Sequence, residues 1–232
     1  MIIHTAQKAV QNPQLPTLYK EEAKLHMGKA FAEQEKWKDA LECFEDILES
    51  PFSAFRQKAE AAVRKTLILC ADPGTVDSEL EQWVQEISFM RLSGKFQYEI
   101  SKALCKRAAF QRQTEKELLY AQIQLKYAPA EQVGEIRNRI AFCYRSQGHM
   151  EKSVDWSRET VAFLRKQLAA DRLDEALAVS LSEELLTALQ MIPDAPEQEI
   201  IDTVKFALDH GACRSSVRER LMNQNLEKRI PL

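Results

Sequence analysis

Residues 24–51, KLHMGKAFAEQEKWKDALECFEDILESP, constrain the fold more than any other segment of the chain. Small and apolar residues recur at three- and four-residue steps on both sides of a short polar turn, and Pro51 closes the segment. This spacing predicts a helix, a tight turn and a second helix whose small residues allow close packing. Since one helix pair cannot bury its apolar face alone, the segment also predicts neighbouring helices stacked beside it.

The rest of the chain shows the same helical periodicity. The 6 glycines and 8 prolines lie mostly where helices are expected to end, and no segment sustains period-two alternation. We predict an all-α protein of about ten helices whose short connections make successive helices antiparallel neighbours. The predicted organisation is an N-terminal lead-in at 1–17, a helical repeat domain at 18–211 and a C-terminal capping helix at 212–232. Ser53 is the expected N-cap of the helix after Pro51.

Composition and charge exclude several classes of protein. Apolar residues make up 45% of the chain, which argues against disorder. The formal charge of −3 arises from interleaved acidic and basic residues, so nucleic acid is not an expected partner. No apolar run approaches the roughly 18–20 residues that span a bilayer, and no secretion signal is evident, so we expect no membrane association. The 5 scattered cysteines predict reduced, buried thiols in a cytoplasmic protein.

The residue patterns of common catalytic and metal sites are missing from the sequence. Glycines occur singly, histidines form no i,i+4 pair around a glutamate, and there is no CxxC motif. We therefore predict no enzyme activity, no cofactor and no metal site. Basic residues cluster at two places. Lys102, Lys106 and Arg107 share one predicted helix with Arg112 nearby, and the C-terminal segment carries Arg214, Arg218, Arg220, Lys228 and Arg229. Two interpretations stay open, namely a contact to phosphate or an acidic peptide, and a solvated terminal helix that caps the array.

The segment 24–51 resembles a tetratricopeptide repeat. The matching positions are Met27, Gly28, Phe31, Trp37, Ala40, Phe44, Ile47 and Pro51. Glu35 departs from the family pattern, because glycine is usual at that position of the turn. A second and more degenerate match covers 137–160. It is carried by Ile140, Ala141, Tyr144, Gly148 and Met150. Gly148 falls at the turn between the two helices, where a residue with positive φ suits a helix C-terminus.

The resemblance implies a superhelical array of antiparallel helix hairpins, in which the first helix of each pair lines a concave groove. It assigns helix packing within the repeats to Gly28, Phe31, Trp37, Ala40, Phe44, Ala141, Tyr144 and Gly148. Positions of the first helices that are not used for this packing are expected to face the groove. In the two matched repeats these predicted peptide-binding residues are Leu25, Lys29, Glu33, Asn138, Phe142 and Arg145.

The function that this resemblance implies is non-catalytic. We expect an adaptor or interaction module that binds a peptide segment of a partner protein in the concave groove. A peptide-sensing regulatory receptor and a helical regulatory subunit of a larger enzyme assembly stay open as alternatives. A homodimer formed by stacking of array ends also stays open, as does an ordinary helical bundle in place of the array.

Overall fold

The computed structural model describes residues 2–88, 90–170, 173–210 and 212. These described residues form eleven α-helices and one 3-10 turn, and they contain no strand, which confirms the all-α prediction. The helices are α1 (Ile2–Gln11), α2 (Thr17–Glu33), α3 (Trp37–Glu49), α4 (Phe55–Ala71), α5 (Asp77–Ser88), α6 (Gly94–Phe110), α7 (Thr114–Tyr127), α8 (Val133–Ser146), α9 (Met150–Leu168), α10 (Glu175–Gln190) and α11 (Glu197–Asp209). The 3-10 turn, Ala130–Gln132, immediately precedes α8.

The chain divides into two compact units, which we call unit 1 (1–111) and unit 2 (112–232). The lead-in predicted at 1–17 contains α1, which packs against α2 through the buried side chain of Ala6. The repeat domain predicted at 18–211 is shared between the two units. Of the capping helix predicted at 212–232, only Ala212 belongs to the described residues, and 213–232 lie outside them.

Within unit 1, the main contacts join helices that are one or two places apart along the chain. Helix α3 packs between α2 and α4, while α4 also contacts α2, α5 and α6. The core under α2, α3 and α4 is built from Leu25, Ala40, Phe44, Ile47, Ala61 and Ile68, with Phe31 and Trp37 partly buried around it. The first matched segment therefore forms a helix pair whose predicted packing residues lie at its interface.

Unit 2 repeats this contact pattern with other residues. Helix α8 contacts α7, α9 and α10, and α10 contacts α9 and α11. The largest core lies under α9, α10 and α11. It contains Val161, Leu164, Leu181, Leu185, Leu186, Ala188, Leu189, Ile200, Val204, Ala207 and Ala212. In both units, alternate helices touch one another (α2 with α4 and α4 with α6 in unit 1, and α8 with α10 in unit 2).

In each of the two matched helix pairs, the same kind of turn connects the first helix to the second. Lys36 N donates to Phe31 O at 3.0 Å in the first turn, and His149 N donates to Tyr144 O at 2.9 Å in the second. Gly148 has φ +80°, which confirms the expected left-handed conformation at that glycine. Glu35 occupies the corresponding position with φ 58°. A glutamate thus adopts a backbone conformation that glycine adopts without steric strain.

Replacing Glu35 with glycine should stabilise the protein by about 0.5–1 kcal/mol. The left-handed conformation costs an L-residue about 1–2 kcal/mol, and glycine avoids this cost. The larger entropy of glycine in the unfolded chain offsets about 0.4–1 kcal/mol of the resulting stabilisation. The free energy of unfolding in urea measures the effect. The matched control is Glu42→Gly, at an exposed position inside α3, where we expect a loss of about 0.5–1 kcal/mol. Equal losses in both variants would contradict the strain at Glu35.

Two local expectations change in the structure. Ser53 does not cap α4, because its hydroxyl donates to Glu21 Oε2 at 3.0 Å in a buried contact. The N-cap position belongs to Ala54, whose N–H is bound by Gln57 Oε1 at 2.9 Å. The described cysteines form no disulfide, as predicted, and Cys43, Cys105 and Cys143 are buried. Cys70 is only half-buried, and Cys213 lies outside the described residues.

Candidate functional site

The predicted groove residues of α2 have three different environments. Leu25 is only 1% exposed and lies in the core with Phe44 and Ala61. Lys29 forms an ion pair with Glu60 of α4, and Glu33 is exposed. Leu25 is therefore a core residue and not a groove residue, because α3 and α4 together cover more of α2 than a single partner helix would.

The predicted groove residues of α8 are also divided between packing and exposure. Asn138 is 7% exposed, and its Nδ2 donates to Glu184 O at 2.9 Å and to Glu184 Oε2 at 2.7 Å. Phe142, one turn further on, is 58% exposed. Arg145 is exposed, and its Nη1 lies 3.3 Å from Met191 Sδ. Phe142 and Arg145 thus form an open face, whereas Asn138 is occupied by α10.

Polar bridges explain why two of the predicted binding residues are occupied. Lys29 joins α2 to Glu60 of α4, and Asn138 joins α8 to Glu184 of α10. Both bridges connect alternate helices across the face that the sequence assigns to the groove. Side chains expected to bind a peptide backbone therefore hold neighbouring helices together at these two places.

The face between α4 and α6 contains a cavity. Its volume is about 550 Å³, within the range of roughly 300–1,000 Å³ typical of ligand pockets. On α6, the lining residues fall at 103, 106, 107 and 110, which is one helical face, and the C-cap residue Gln111 continues it. The described residues that line the cavity are Leu67, Cys70, Ala71, Pro73, Ala103, Lys106, Arg107, Phe110 and Gln111.

Arg107 lines this cavity and holds the end of α4 and the turn after it in place through hydrogen bonds. Its Nη1 donates to Leu69 O at 2.8 Å and to Asp72 O at 3.0 Å, and its Nη2 donates to Thr75 O at 2.6 Å. Nη2 also lies 3.2 Å from Asp77 Oδ1. The guanidinium therefore satisfies carbonyl groups at the carboxyl end of α4 and in the turn that follows, where the helix itself supplies no donors.

In the structure, the three residues of the basic cluster on α6 have different surroundings. Arg107 is buried and structural, and Lys102 Nζ lies 5.5 Å from the centre of the Tyr98 ring. Lys106 is exposed at the cavity, and no carboxylate of the described residues forms an ion pair with it. Phe110, one turn after Lys106, is 88% exposed. A cation and an aromatic ring thus flank the cavity on consecutive turns of α6.

Cys70 contributes apolar surface to the cavity. Burial raises the pKa of its thiol to about 11, and the nearby Arg107 guanidinium opposes that rise. The thiol is therefore protonated at neutral pH, and since the thiolate is the reactive form, Cys70 is a poor nucleophile there. Its position suits packing against a ligand more than covalent chemistry.

A second, smaller cavity of about 250 Å³ lies in unit 2 between α9, α10 and the start of α11. Its surroundings are polar, because Arg158 pairs with Asp194 at 3.1 Å and Arg165 pairs with Glu199. The charged side chains that line this smaller cavity are therefore already paired with one another. The α4–α6 cavity is accordingly the better candidate site.

The described residues contain neither a metal-binding cluster nor a candidate membrane span. Within 2–88, 90–170, 173–210 and 212, no group of three or more potential metal-ligating side chains comes together. No helix in the same ranges combines the length and the apolarity needed to cross a bilayer.

Comparison with known proteins gives no assignment, since no family model matches this chain and no curated protein matches it.

The sequence analysis missed the α4–α6 cavity for an identifiable reason. Its signal is the spacing of Ala103, Lys106 and Phe110 on one face of α6, opposite small residues of α4. The turn after α4, Asp72-Pro73-Gly74, does not follow the repeat pattern. The pattern therefore gave no register in which the two helices could be aligned.

Proposed function

We propose that this chain is a protein-interaction module of tetratricopeptide-like helix pairs that binds a peptide segment of another protein. The observation that carries the proposal is the α4–α6 cavity, with the exposed ring of Phe110 at its edge. Large exposed aromatic side chains beside concave apolar surfaces are typical of the residues that dominate binding between proteins.

The packing within each unit supports a repeat architecture for this module. Alternate helices contact one another in both units, and the two matched helix pairs share the same turn. Helical repeat proteins bury a continuous core between neighbouring pairs and use the face of alternate helices for binding. In unit 1, this face is the surface on which the cavity opens.

Unit 2 offers a second surface of similar chemistry. Phe142 and Arg145 lie on consecutive turns of α8, and both are exposed. This arrangement repeats the combination of an aromatic ring and a cation seen at Phe110 and Lys106. The proposal therefore assigns a candidate peptide-binding surface to each unit separately, and the cavity of unit 1 is the stronger candidate.

Selection from a random peptide library displayed on phage, with the purified full chain as bait, tests the proposal. We expect enriched peptides whose affinity falls at least tenfold in an Ala103→Trp variant, because the indole ring would fill the cavity. The matched control is Ala54→Trp, which adds the same ring at an exposed position beside the other end of α4. Circular dichroism establishes that both variants fold.

Two results would count against the proposed function. One is a selection that enriches no binding peptide. The other is a set of enriched peptides that bind the Ala103→Trp variant as tightly as the unmodified chain.

A further inference from the structure

We propose that the α4–α6 cavity selects a peptide segment in which a large apolar side chain is followed closely by an acidic side chain. The apolar side chain enters the cavity, and Lys106 binds the carboxylate. This inference rests on the proposed function and adds the chemical class of the partner segment.

The lining of the cavity determines the apolar part of the ligand. Leu67, Ala71, Pro73 and Ala103 contribute apolar surface, and Cys70 adds a protonated thiol. A volume of about 550 Å³ accommodates one large aromatic or aliphatic side chain together with adjoining backbone. Phe110, largely exposed beside this space, is positioned to cover the bound side chain and to lose its own contact with water.

The charges around the cavity determine the acidic part. None of the described lining residues is acidic, whereas Lys106 and Arg107 are both basic. The charge of Arg107 is opposed by Asp77, and its Nη atoms are committed to carbonyl groups of the α4–α5 turn. Lys106 is exposed and has no partner among the described carboxylates.

The remaining carboxylate of that turn does not reach across to Lys106 in the described contacts. Asp72 Oδ1 accepts a hydrogen bond from Gly74 N at 2.8 Å, within its own turn. An acidic side chain therefore gains an ion pair at Lys106 on binding, while a basic one meets like charge. A nucleic acid would need a broad basic surface, which a chain with a formal charge of −3 does not supply overall.

Fluorescence polarisation with designed peptides tests this inference. The first probe is a fluorescein-labelled peptide, Gly-Ser-Glu-Trp-Glu-Asp-Gly-Ser, and the second replaces its acids with the corresponding amides. The third replaces tryptophan with alanine. We expect the full chain to bind the acidic tryptophan peptide at least tenfold more tightly than either of the other two.

A charge reversal at the cavity isolates the role of the lysine. Lys106→Glu should weaken binding of the acidic peptide at least tenfold and should strengthen binding of a version that carries lysines in place of the acids. The matched control is Lys95→Glu, an exposed lysine in the first turn of the same helix, which should leave both affinities unchanged. Because Lys106 is exposed, we expect the variant to fold, and Lys106→Gln provides a milder second variant.

The outcomes separate this inference from the proposed function. Equal binding of the acidic and amide peptides, or an unchanged affinity in Lys106→Glu, would overturn the acidic preference. The interaction module itself would stand if library-selected peptides were still blocked by Ala103→Trp. Competition by free dodecanoate at lower concentration than the peptide would also overturn the inference, in favour of a small amphipathic acid as ligand.

Discussion

Replacing Arg107 with methionine should lower the free energy of unfolding by about 3–5 kcal/mol, because buried carbonyl groups would lose their hydrogen-bond donors. The guanidinium supplies donors to Leu69 O, Asp72 O and Thr75 O, and methionine supplies none. Each buried carbonyl left without a donor costs about 1–3 kcal/mol. The α4–α5 turn would thus lose the group that fixes it.

Urea unfolding of the full chain, followed by circular dichroism and tryptophan fluorescence, measures this loss. Trp83 is a local reporter, because its Nε1 donates to Thr66 Oγ1 at 2.9 Å between α5 and α4. The matched control is Lys106→Met, which removes an exposed cation from the adjacent position and should change stability by less than about 0.5 kcal/mol. Similar stability of the two variants would contradict the structural role of Arg107.

Replacing Gly28 with leucine should lower the free energy of unfolding by about 3 kcal/mol, at the upper end of the usual cost of overpacking. A Cβ atom at this position would lie 2.6 Å from Phe44 Cε1, 2.9 Å from Phe44 Cζ and 3.1 Å from Cys43 Cβ. Since Phe44 is 0% exposed, its rigid ring cannot relieve this clash by turning out into solvent. The two helices would have to separate, and the core beneath them would lose contacts.

A double-mutant cycle tests the contact directly. Gly28→Ala should be destabilising in the natural background, and less so when Phe44 is leucine, because the shorter side chain relieves the clash. Gly134→Ala is the control, since its Cβ would meet mainly the terminal Cδ2 of Leu164 at 2.7 Å, and a flexible side chain yields more easily. Additive effects of the Gly28 and Phe44 substitutions would contradict the proposed contact.

The sequence predicted the local features of this fold because they depend on nearby residues. The spacing of Gly28, Ala40 and Phe44 indicated a tight helix pair, and all three lie at that interface. The glycine at 148 indicated a left-handed turn residue, and the structure has one there. Such features are decided by helical periodicity and turn chemistry within about 20 residues, which a single sequence displays directly.

The candidate site depended on contacts that the sequence does not display. Leu25 and Asn138 were predicted to face a groove, yet their surroundings are determined by α4 and α10, much further along the chain. Arg107 looked like a member of a surface cluster, because nothing near it in sequence reveals the carbonyl groups that it binds 32–38 residues away. The cavity itself requires small residues of α4 and α6 to lie opposite one another, and that juxtaposition has no local signal.

Each helix in the described part of the chain packs mainly against helices one or two places away in sequence. Because such contacts are local in sequence, folding closes only short loops, and little conformational entropy is lost before native contacts form. We therefore expect rapid acquisition of structure, beginning wherever one helix pair forms first and spreading to its neighbours.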